Sequence, residues 1–147
     1  MTVGWFFASE TTDFGTSILD RLETETMIVP ALWTLEFASA IRSAERRGRI
    51  DAKGRLAILD QASRLPLEID DRVFPVAEIG AIAARLELTP YDAVYLELAR
   101  HRRIPLVTLD AALVAAARAA GLAVLTDETR FPARVKSAAR PRGRTRT

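Results

Sequence analysis

The 147-residue sequence has no cysteine and a single histidine, His101. The first absence excludes disulfides, thiolate catalysis and thiolate metal sites, and the second excludes a multi-histidine zinc site. A metal ion held by this chain must sit among oxygen ligands, which favours Mg²⁺ or Mn²⁺. No apolar run approaches bilayer-spanning length, and no basic stretch followed by an apolar one marks a signal peptide. A soluble, cytoplasmic protein without a membrane partner is therefore expected. Acid is missing from residues 130–147, which carry seven basic residues. The 129 residues before them carry 14 basic against all 19 acidic residues, a balance of −5. The high isoelectric point belongs to this end segment. Residues 1–129 are expected to form one domain, and 130–147 a basic, disordered tail with too few apolar residues to fold.

The most informative stretch runs from Thr89 to Asp110. Thr89-Pro90-Tyr91-Asp92 carries the marks of a helix start: a capping threonine, proline in the first helical position and an acid three residues after the cap. Ile104 to Thr108 is short and bounded, the pattern of a buried strand, and Asp110 then opens a helix over 111–120. Before this stretch the sequence predicts helices over 14–22, 31–47, 51–64 and 73–86, and strands at 27–29 and 67–69. A last strand is predicted at 122–125. Short apolar strands interleaved with helices indicate an α/β fold with a parallel sheet covered on both faces. Asp92 falls where a helix begins and Asp110 where a strand ends, and in such sheets ligands bind outside the carboxyl ends of the strands.

Three carboxylates are candidates for chemistry. Glu36 lies in Leu32-Trp33-Thr34-Leu35-Glu36-Phe37-Ala38, the most apolar part of its helix, which is expected to be buried at its start and solvated at its end. A lone buried carboxylate is costly and calls for a function. A solvent-facing stripe, or a pair with Arg42, is the plainer reading. Asp92 and Asp110 each fit a helix cap as well as they fit a ligand. Thr108 is either an ordinary strand residue or a hydroxyl that hydrogen-bonds a nearby carboxylate. His101 suits a cation at a helix C-terminus better than a base. Acids converging in one crevice need a cation between them, and carboxylates bridged by Mg²⁺ are a common apparatus for hydrolysing phosphodiesters.

Pro30-x₅-Glu36-x₃-Ala40, Thr89-Pro90-Tyr91-Asp92-Ala93-x-Tyr95-Leu96-x-Leu98-Ala99 and Leu106-Val107-Thr108-Leu109-Asp110 together resemble PIN-domain proteins, in particular the VapC-type toxins of toxin–antitoxin pairs. The resemblance covers roughly residues 3–126, with Trp5-Phe6 in register. It implies a PIN-like three-layer fold, a short parallel sheet flanked by helices. It also implies a Mg²⁺- or Mn²⁺-dependent endoribonuclease acting on RNA, a cognate antitoxin beside the acids, and a homodimer. Glu36, Asp92 and Asp110 would be catalytic and metal-binding, with Thr108 in support. The family's first, central strand carries a further acid, and counting back from Trp5 places it just ahead of Met1. The expectation is that this strand is truncated here, with metal binding and cleavage weakened. The alternative is a catalytically impaired PIN-like protein that only binds antitoxin or RNA, and beyond that an unrelated α/β domain with capped helices. Arg42, Arg46, Arg47 and Arg49 suit either an RNA backbone or a solvated helix end.

Overall fold

The computed structural model describes Phe6 and residues 12–129. The expected first strand, Trp5 and the basic tail lie outside these residues. Helix α1 (Asp13–Arg21) starts where the Thr12 hydroxyl accepts the Gly15 amide at 3.0 Å. Strand β1 (Met27–Pro30) follows, then α2 (Leu32–Arg46), α3 (Ala52–Ser63) and β2 (Leu67–Asp70). Helices α4 (Val76–Leu86) and α5 (Pro90–Arg102) lead to β3 (Leu106–Val107), and α6 (Ala111–Ala119) to β4 (Val124–Leu125).

Elements and chain order agree with the α/β reading; several lengths do not. The fourth helix begins at Val76 rather than Val73 because Pro75 is its N-cap, and a residue preceding proline is driven out of the helical region. The third strand is two residues long because its only described neighbour, β4, pairs with it over Leu106↔Val124 and Val107↔Leu125 alone. β1 pairs in parallel with β2, from Met27↔Leu67 to Pro30↔Asp70. The described strands thus form two separate two-stranded parallel sheets rather than one continuous sheet.

Helix α5 bridges the gap between them, packing against both β1 and β3. It buries Ala93, Leu96, Leu98 and Ala99, and its small residues let both half-sheets approach. One core cluster joins Leu96 and Ala99 to Leu106, Leu113, Ala116 and Ala117. A second lies between α2 and α3, where Phe37, Ile41 and Ala44 recur at helical spacing and meet Ile58 and Ala62. Trp33 stacks on Phe37 at 5.1 Å, and Phe6 meets the same ring edge-on at 5.5 Å.

Helix α2 corrects the expectation of a buried start. Its buried stripe begins only at Phe37, and Leu35 is 74% exposed. A helix apolar on every side needs neighbours on every side, and among the described residues α2 has them on one.

Candidate active site

A cleft of about 600 Å³ lies between the two half-sheets, with β1 on one side, β3 on the other and α5 also lining it. Glu36, Asp92 and Asp110 all line it, and so does Thr108. Asp92 and Asp110 stand where the sequence makes a helix begin, and Glu36 lies just beyond the first turn of α2. Asp92 occupies the first turn of α5, where the Thr89 hydroxyl donates to its Oδ2 at 2.6 Å and accepts its amide at 3.1 Å. Asp110 caps α6, its Oδ1 accepting the Leu113 amide at 2.9 Å. Asp110 is itself a cap and Asp92 accepts the hydroxyl of the Thr89 cap, and both also line one cleft; the two readings of these residues are compatible.

Glu36 is exposed, so the expected burial of its carboxylate is corrected. Arg42 is not its partner either; that guanidinium pairs with Glu45 at 2.7 Å. What holds Glu36 is Tyr95, whose hydroxyl donates to Glu36 Oε2 at 2.6 Å across 59 residues of sequence. Burial first, then the bonded Glu36 carboxylate and the charge of Asp92, push the Tyr95 phenol well above its ordinary value. It remains a protonated donor throughout the neutral range. Tyr95 lies three residues after Asp92, on the same side of α5. That spacing was readable in the sequence, but the partner on α2 was not.

Thr108 is buried, and its hydroxyl accepts the Asp110 amide at 3.1 Å. Its recorded bond thus runs to backbone rather than to a carboxylate, and it shapes the turn that delivers Asp110. His101 is exposed near the C-terminus of α5.

Among the described residues no ion pair involves Glu36, Asp92 or Asp110, and no three acids or histidines form a group that could hold a metal ion. The donors are of the right kind for Mg²⁺ or Mn²⁺, but as placed they share a cleft without closing on a common point. Among the described residues, no group of three closes on an ion in this arrangement.

The sequence matches the PIN domain family over residues 3–119. No curated protein matches it. Among solved structures it is similar to the crystal structure of PAE2754 from Pyrobaculum aerophilum, with a TM-score of 0.55 and 21% identity over 74% of this chain and 78% of that one. At that identity the likeness speaks for the fold alone.

Proposed function

This chain belongs to the PIN-domain family, whose members are in general metal-dependent nucleases, and from that premise we propose that it is an endoribonuclease toxin. The observation that carries the reading is the set of three carboxylates, none paired with a cation among the described residues, lining one open cleft. Glu36 is oriented by Tyr95, which occupies one carboxylate oxygen and leaves the other to take a proton from an attacking hydroxyl. Asp92 is steadied by the Thr89 hydroxyl, and Asp110 by the first turn of α6. A mouth with this charge repels a phosphodiester unless a counter-charge is present, which is why Mg²⁺ or Mn²⁺ belongs to the proposal.

The proposal includes a cognate antitoxin bound beside the acids, a homodimer and a cytoplasmic location. Exposed Val73, Val76 and Tyr91 offer apolar surface for a protein partner. No helix among the described residues is long and apolar enough to cross a membrane. Arg42, Arg46 and Arg47, exposed at the far end of α2, and the basic residues of 130–147 supply cationic groups for an RNA backbone.

The absence of a metal-holding group among the described residues favours a second reading, a PIN-like protein that binds RNA or antitoxin without cleaving. One experiment separates them. The 147-residue protein and its Asp92→Asn variant are incubated with a structured RNA in Mg²⁺ or Mn²⁺. Cleavage by the parent alone supports the nuclease. RNA retention without cleavage by either supports the second reading, and equal cleavage by both removes Asp92 from the chemistry.

A further inference from the structure

Charge is unevenly placed along residues 1–129. They carry 14 basic against 19 acidic residues, but five of the 14 fall between Arg46 and Arg55, with Asp51 the one acid there. This stretch covers the end of α2, the turn and the start of α3. Arg55 pairs with Glu45 at 3.1 Å, as does Arg42, one turn before Arg46, at 2.7 Å. Arg46, Arg47 and Lys53 are exposed, and among the described residues no ion pair or side-chain hydrogen bond engages them. A helix C-terminus favours cations and would by itself account for Arg46 and Arg47. It does not account for Lys53, in the first turn of α3, where the helix dipole opposes positive charge. Helices α1, α4 and α5 place an acid in that turn. Cations gathered at this elbow against a local cost suit a polyanion.

The elbow is also in register with the cleft. Glu36 begins and Arg47 ends one stripe of α2: their separation in sequence is about three full helical turns, so both leave the helix on the same side, about 16 Å apart along its axis. Ala40 and Ser43 stand between them on that side, and both are too short to block a strand laid along the helix. Phosphates of a stacked strand repeat about every 3.4 Å, so about five nucleotides join the two ends. We propose that Arg46, Arg47 and Lys53 form a phosphate-binding subsite remote from the acids, which holds the backbone of an unpaired RNA strand about five nucleotides from the phosphate at the cleft. The register rests on the nuclease reading above; the affinity for an RNA backbone does not. Because the subsite meets phosphates, it sets how long a substrate must be and not which bases it carries. An acidic polypeptide would satisfy the charge, but only a substrate of the cleft accounts for the open path from Glu36 to Arg47.

The test uses the full 147-residue protein and a fluorescent, unstructured dodecanucleotide of uridines, with a chelator present so that binding is read without cleavage. The parent is compared with Arg46→Gln/Arg47→Gln and with Arg103→Gln/Arg118→Gln, which loses the same charge at the ends of α5 and α6 opposite Asp92 and Asp110. The elbow variant is expected to bind about tenfold more weakly, with the slope of log K against log salt reduced by about 1.4, as for two lost single-strand phosphate contacts. The control variant should stay within about twofold of the parent. Equal weakening in both variants, or none in the elbow variant, would overturn the proposal. So would a polyglutamate peptide whose binding needs Arg46 and Arg47 when RNA binding does not, an outcome that assigns the elbow to a protein partner. Should the double variant not fold, Lys53→Gln, on the other helix, carries the comparison with an expected loss of about threefold. The register is read in Mg²⁺ or Mn²⁺: the elbow variant should lower kcat/KM about tenfold for the dodecanucleotide and leave that for a trinucleotide unchanged. Equal losses on both lengths refute the register. If the parent cleaves neither, the nuclease reading fails, and the binding comparison alone decides the subsite.

Discussion

Two sets of acids, one on β2 and one along the cleft between β1 and β3, differ in their surroundings. On β2, Asp70 is buried, bonds Arg102 at 3.3 Å and accepts the Arg72 amide at 3.0 Å, while Glu68 pairs with the same Arg102. Past β1 and β3, Glu36 and Asp110 face the cleft with Asp92, and among the described residues their partners are hydroxyls and amides. A carboxylate closed by a guanidinium ties helix to strand and has little left for a ligand. One held by a neutral donor is oriented yet keeps its charge. The first set fastens α5 to β2; the second is what a substrate or a cation would meet.

Substitutions that treat the two sets alike should give different results. The largest effect is expected at Asp92: in the nuclease reading, Asp92→Asn lowers RNA cleavage at least about a hundredfold, with a stability loss of only about 1 kcal/mol from the altered first turn. Gel-based cleavage rates and a denaturant melt check both parts. Asp70→Asn should do the reverse, lowering unfolding free energy by about 1–3 kcal/mol because Arg102 loses a partner in a buried pair, with cleavage near that of the parent. If Asp70→Asn abolished cleavage in a folded protein, the division between the sets would be wrong.

Tyr95→Phe sharpens the comparison, because it removes a neutral donor while leaving every charge in place. A loss of about 0.5–1.5 kcal/mol in stability is expected, together with about tenfold slower cleavage as Glu36 loses its orientation. The smallest effect concerns pH. The Tyr95 phenol is raised in the folded state, so its contribution is complete below the unfolded value near 10 and is lost as pH climbs above it towards the folded value. Thermal melts between pH 9 and 11 should therefore fall more steeply for the parent than for Tyr95→Phe; parallel curves would contradict this assignment.

Three helix starts were legible because they are local. Asp51, Thr89 and Asp110 each accept an amide three residues ahead, a pattern written in adjacent positions. The strand positions followed from short apolar runs, although their ends did not, since a strand lasts only as long as its neighbour matches it. Glu36 was singled out from its apolar surroundings on the premise of burial, and the structure reverses that premise: the residue is exposed and bonded to Tyr95.

The sequence by itself determined the alternation of helices and strands, the caps and the oxygen-only donor set, because each follows from neighbouring residues or from composition. Tertiary structure alone decided that Tyr95 meets Glu36, that Arg102 goes to Asp70 and Glu68 rather than to the cleft acids, and that the three acids line one cleft. Those outcomes depend on which elements pack together across long stretches of chain, and no periodicity or cap records that choice.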